Sequence, residues 1–124
     1  MSGGQSRLLA RLEAAIRAER DPFRAACLRA EWAVVQARQG RTDLAKEEVA
    51  ALRKEFEGRQ TFELMTWICV VESLAAYYSN LGQESLDRMK RALAMSTSAG
   101  LRRLKALAAT ALALMEFYLS LIHI

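Results

Sequence analysis

The chain has 124 residues, 52% of them apolar and 26% charged, with one proline and a net charge of +4. That length is one domain's worth and can bury a core without disulfides or metals. The composition excludes a disordered, collagen-like or disulfide-scaffold protein. Alanine, leucine, glutamate and arginine dominate; they lose little rotamer freedom on a helix, so an all-α fold is expected.

The opening MSGGQSR does not carry the basic-then-apolar pattern of a secretory signal. In SRLLARLEAAIRAER, Leu8, Leu9, Leu12, Ala15 and Ile16 fall on one helical stripe opposite Arg11 and Arg17. The dipeptide Asp21-Pro22 restarts the chain. Asp21 is placed to cap the first free amides, and Pro22 suits the first helical position, where its missing N–H is no loss. A second helix to about Gln39 carries Phe23, Cys27, Ala30 and Val34 on one side and Leu28, Trp32 and Val35 on another. Gly40 is expected to end it in a left-handed conformation. Thr42 or Asp43 then caps a third helix, with Ala45, Val49, Leu52 and Phe56 inside and Lys46, Glu47, Arg53, Lys54 and Glu57 outside, closed by Gly58. So short a turn makes the two helices antiparallel.

The fourth segment, TFELMTWICVVESLAAYYSNL, is apolar on most sides and needs partners on most sides, which makes it the central helix. Trp67, Tyr77 and Tyr78 are expected in the core, and Glu72 and Ser73 on its exposed strip. Gly82 is expected to end it and the following QES to turn. Leu86, Met89 and Leu93 then line a fifth helix up to Gly100, and Leu104, Leu107, Ala111, Leu114 and Tyr118 a last one from Leu101. Cys27 and Cys69, inside helical segments, read as reduced thiols of a cytoplasmic protein.

Sliding the chain on itself by 42 positions superposes Cys27 on Cys69, Ala33 on Ala75 and Gly40 on Gly82, followed by Leu44 on Leu86, Lys46 on Arg88 and Ala50 on Ala92. The stretch AEWAVVQARQGRTDLAKEEVAAL resembles the tetratricopeptide-like family of helical repeats. Ala33 matches the family's small residue in the first helix and Gly40 its turn glycine. Ala45 and Val49 match the small and bulky positions of the second helix. LGQESLDRMKRALAMSTSAGL looks like a degenerate second unit, in which Asp87 replaces the small residue. The repeat is longer than the family's usual unit, and no proline closes it. Together with the RALAMSTSAGLRRLKALAATALALM phrasing, this looks more like the solenoid sensor regions of large bacterial signalling proteins.

The resemblance implies an α-solenoid of antiparallel helix hairpins, about five to six helices. It divides into an N-terminal helix, hairpins over 22–57 and 61–99 and a half hairpin from 101, within a domain spanning 1–118. The structural rival is a self-contained bundle whose last helix closes on the first. A solenoid leaves a stacking face, and the stripe Leu104, Leu107, Leu114 and Tyr118 needs another helix over it. The residues after Tyr118, LSLIHI, resemble a translated sequencing-library transposon end. Residues 119–124 are therefore expected to be a non-native tail on a cut reading frame, and His123 would not belong to the protein. The other reading of this ending is a membrane span over 106–124, which would place Glu116 in the bilayer at a cost of roughly 2.5–3.5 kcal/mol.

Two cysteines and one histidine are too few for a metal site or a nucleophilic pair, and no glycine-rich phosphate loop is present. Neither an enzyme nor a cofactor is expected. The resemblance implies a binding scaffold, the input module of a bacterial regulator. It would hold a protein, peptide or small effector, or be joined to further repeats and an output domain of the same chain. Helix phase and the resemblance together put Ala30, Val34, Arg38, Glu72, Ala76 and Asn80 in the groove. The alternative is nucleic-acid binding through Arg88, Lys90, Arg91, Arg102, Arg103 and Lys105, which share one short region with only Glu84 and Asp87. Such a run also suits the solvated face of neighbouring helices.

Overall fold

In the computed structural model, residues 3–79 and 82–122 are described. They form six α-helices and no strand: α1 (Gly3–Ala18), α2 (Pro22–Arg38), α3 (Thr42–Glu55), α4 (Phe62–Tyr78), α5 (Gly82–Ala99) and α6 (Arg102–Ile122). The all-α expectation holds. Asn80, Leu81, His123 and Ile124 lie outside the described residues.

The helix ends follow local chemistry. Asp21 Oδ1 accepts from the Phe23 amide at 2.9 Å and Pro22 opens α2. Thr61 caps α4, its Oγ1 accepting from the Leu64 amide at 3.1 Å. Gly40 and Gly58 adopt φ of 82° and 74° after α2 and α3, a region in which a Cβ would be strained. Two expected boundaries are different. Arg41, which gives α3 no side-chain capping bond, is its N-cap; Thr42 is already helical and Asp43 sits in the first turn, where its charge complements the helix dipole. Gly82 opens α5 and does not end α4. α4 stops at Tyr78 because Ser79 tightens its end, the amide donating to the Ala76 carbonyl and Oγ to the Ala75 carbonyl.

α4 is the centre of the molecule, with α2, α3, α5 and α6 all packed on it. Leu64, Ile68, Val70 and Val71 are fully buried, each worth about 1.5–3 kcal/mol. Trp67 is buried as expected, but Tyr77 is half-buried and Tyr78 is exposed. Ser73 is fully buried and not on an exposed strip; its hydroxyl donates to the Ser85 carbonyl on α5 at 2.6 Å. Ser73, Ser85, Ala92 and Ser96 are all fully buried, and in a close-packed interior a larger side chain has to displace its neighbours. On α2, Ala26, Ala30, Ala33 and Ala37 form a fully buried alanine stripe of the same kind.

One continuous core runs from Ala26 on α2 to Met115 on α6, and Leu12, the buried residue of α1, lies outside it. α1 packs on α2, α2 on α3 and α4, α3 on α4, α4 on α5 and α6, and α5 on α6. Among the described residues α1 and α6 do not touch, so the last helix does not close on the first.

The helices from α2 onward start at Pro22, Thr42, Phe62, Gly82 and Arg102, twenty residues apart. A shift of forty keeps these helix starts in step, whereas the expected shift of 42 does not. With forty, buried residues match buried residues: Ala30 with Val70, Val34 with Leu74, Val49 with Met89, Leu52 with Ala92, Ile68 with Ala108, and Val71 with Ala111. Cys27 corresponds to Trp67, not to Cys69.

Candidate functional site

α3 and α5 both lean on α4 but, among the described residues, do not pack on each other. The gap is a cleft of about 400 Å³. Its floor is the strip of α4 carrying Val71, Glu72, Ala75, Ala76 and Ser79; Lys46, Val49, Ala50 and Arg53 of α3 form one wall, Glu84 and Arg88 of α5 the other. The apolar floor residues Val71, Ala75 and Ala76 are themselves nearly covered, and Glu72 and Ser79 are the more accessible residues of this strip. The rim is charged because it belongs to the outer faces of two amphipathic helices.

Glu72 stands at the middle. Its Oε2 accepts from Arg53 Nη2 at 2.8 Å and lies 3.5 Å from Arg88 Nη1, and Arg88 Nη2 donates to Glu84 at 2.7 Å. One carboxylate thus ties both walls across the floor. Lys46 makes no ion pair among the described residues. Burial pushes the neighbouring Cys69 thiol up, and Glu72 adds to the effect.

A second cleft, of about 380 Å³, opens among α2, α4 and α6. Phe23, Cys27, Glu31, Glu63, Trp67 and Arg103 are among its lining residues. Arg103 reaches from α6 across the Trp67 ring, 5.9 Å from its centroid, to pair with Glu31 of α2 at 2.5 Å. Burial, with the charges of Glu63 and Asp21, pushes the Cys27 thiol up to about 12. Both cysteines are free.

The expected groove residues do not converge. Glu72 and Ala76 line the first cleft. Ala30 and Val34 are buried in the core and line neither cleft; Arg38 is exposed at the end of α2 and lines neither. Asn80 lies outside the described residues. The basic residues also separate. Arg88 is engaged at the first cleft and Arg103 at the second, while Lys90, Arg91, Arg102 and Lys105 are exposed. Lys46, Arg53, Val71 and Ala75 were not anticipated as lining residues. Their signal was present in the spacing of Lys46, Val49, Ala50 and Arg53 along one helix edge, which a simple inside–outside reading of α3 splits apart.

α6 buries Leu104, Ala108, Ala111 and Met115 and leaves Leu114, Phe117 and Tyr118 about half exposed. The expected stripe is therefore covered at Leu104, partly covered at Leu107 and bare from Leu114 onward. By length and composition alone, Arg102–Leu121 is long and apolar enough to cross a membrane. It runs on through Ile122, so the first residues of the LSLIHI ending continue the helix. Among the described residues no three His, Cys, Asp or Glu side chains are grouped to hold a metal ion. No family model matches this chain, and no curated protein or solved structure matches it either.

Proposed function

We propose that the chain is a non-catalytic binding module, a tetratricopeptide-like α-solenoid segment serving as the cytoplasmic input region of a larger bacterial regulator, and that it binds at the α3–α5 cleft. One observation carries the reading: two helices share a third without meeting, which leaves a cleft under a charged rim. A concavity of that size, lined by both apolar and charged residues, suits a small effector or an anchoring side chain of a peptide or protein partner. The recurrence of helix starts every twenty residues supports the solenoid reading. So does the bare apolar face of α6, which suits packing by a further helix of the same kind.

The thiols support a non-catalytic role, since nucleophilic cysteines need a lowered pKa and both of these are raised. The nucleic-acid reading has less support, because Arg88 and Arg103 are committed to carboxylates at separate clefts. The test is a titration of isotopically labelled protein with octanol as a neutral apolar probe. Amide shifts should gather on residues 46–53 and 71–79. Ala50→Trp fills the cleft from an exposed position and should abolish them. Shifts scattered over the surface, or unchanged in Ala50→Trp, would remove the cleft as the binding site.

A further inference from the structure

We propose that Arg103 is a latch on the second cleft, the one among α2, α4 and α6, and that the cleft takes a guanidinium or ammonium group in its place when it lets go. α2 and α6 do not pack on each other among the described residues. Arg103 is what α6 contributes to the lining of this cleft; the rest comes from α2, α4 and the residues just before them. Its guanidinium lies over the Trp67 ring and pairs with Glu31 on the far side. The Arg103 side chain is 76% exposed and that of Glu31 19%, so a solvent-facing chain is laid onto a largely covered carboxylate. An exposed ion pair with a cation–π contact favours the closed form by only about three- to thirtyfold, which is weak enough to open.

What lies under the latch has room and accessible surface. Phe23, Cys27 and Leu28 are half-buried in a cleft of about 380 Å³, beside the Trp67 ring. Three carboxylates, Glu19, Glu31 and Glu63, line it against two guanidiniums, Arg24 and Arg103. Glu63 makes no ion pair among the described residues, and Arg24 stands 3.9 Å from Glu19. Release of Arg103 therefore leaves three carboxylates and one cation around an aromatic ring. An anion is repelled there, whereas a guanidinium or ammonium regains the ring face and the Glu31 oxygen that Arg103 held. The seated arginine is itself the observation that the place accepts such a group.

Cys27 lines the cleft and Cys69 does not, so the two thiols report opening and supply its control. Alkylation by iodoacetamide at about pH 9 is followed at each thiol in the full chain, as wild type, Arg103→Gln and Glu31→Gln. Each variant should speed Cys27 about three- to tenfold and leave Cys69 as it was. Loss of the Arg103 charge by itself disfavours the thiolate, so a faster rate in Arg103→Gln reports access. In Arg103→Gln, methylguanidinium chloride should slow Cys27 about threefold relative to sodium chloride of the same ionic strength. With Glu31→Gln added to Arg103→Gln, that protection should disappear. An unchanged Cys27 rate in either single variant, or an equal rise at Cys69 from a loosened fold, would overturn the latch. Opening without protection by methylguanidinium would overturn the cation site. Neither result touches the α3–α5 reading, whose probe is followed at other residues.

Discussion

A chain that begins at Asp21, without α1, should still fold. Among the described residues α1 packs on α2 alone, and Leu12, which it buries, is separate from the core that joins α2 to α6. Burying Leu12 is worth about 1.5–3 kcal/mol, and the half-buried Leu9 and Ile16 add roughly half as much each. Ordering a surface helix costs conformational entropy that offsets much of this. The net loss should be about 1–3 kcal/mol, against the 5–15 kcal/mol typical of a domain. Urea unfolding followed by circular dichroism at 222 nm reads the change as a lower midpoint with one transition retained. The two tryptophans provide an internal control. Trp32 donates to Glu13 of α1 at 3.3 Å and should become more solvated, whereas Trp67, buried on α4, should not. Loss of helicity beyond the deleted segment, or a drop above about 5 kcal/mol, would mean that α1 completes a closed core. Sequential packing would then be the wrong description.

Three further outcomes follow from single contacts. Phe56 is buried at the end of α3 with its ring 5.3 Å from Phe23, so Phe56→Ala should cost about 3–5 kcal/mol by urea unfolding. Gly40→Ala should cost about 1–2 kcal/mol, all of it from the backbone, because φ is 82° and a Cβ would meet nothing within 4 Å. Cys27 titrates at about 12, above the ordinary thiol value of 9.0, so the neutral thiol persists through alkaline pH. Its alkylation by iodoacetamide should climb about tenfold per pH unit from pH 8 to 11 while a free-thiol control levels off near its own pKa.

Much of the fold was legible because helix formation here is local. Asp21-Pro22, Gly40 and Gly58 act through cap and turn chemistry that needs no tertiary knowledge, and the apolar breadth of the α4 segment names the central helix. The two boundaries that moved are those where several residues compete for one role, as Ser79 and Gly82 do at the end of α4. The burial of Ser73 was not legible. A lone hydroxyl in an apolar run looks like an exposed strip until a carbonyl on another helix, here that of Ser85, is brought to meet it.

Of the expected groove residues, Glu72 and Ala76 line the first cleft while Ala30 and Val34 do not, and helix phase accounts for the split. A shift of 42 pairs Ala30 and Val34 with Glu72 and Ala76, but two residues turn a helix by about 200°, which exchanges a cleft face for a core face. With the observed spacing, Ala30 and Val34 correspond to Val70 and Leu74, and all four are buried. Identities such as Cys27 with Cys69 favour a shift of 42, whereas burial matches at a shift of forty.

At a spacing of forty residues the cleft falls on a second hollow. Forty residues before Arg53, Glu72 and Arg88 stand Glu13, Trp32 and Glu48, and these line a smaller hollow of about 310 Å³ among α1, α2 and α3. The polar link has its counterpart there, with Trp32 Nε1 donating to Glu13 as Arg53 donates to Glu72. The difference lies in the middle residue, where an indole stands in place of a carboxylate. Trp32→Ala should therefore enlarge the hollow and admit octanol, seen as amide shifts on residues 13–17, 29–33 and 48. Octanoate should not follow it, because Glu13 and Glu48 now edge the opening and only Arg29, already held by Glu48 and Glu55 at 2.6 and 2.7 Å, and Arg17 oppose them. Equal entry of both probes in Trp32→Ala would show that rim charge does not govern what these hollows accept.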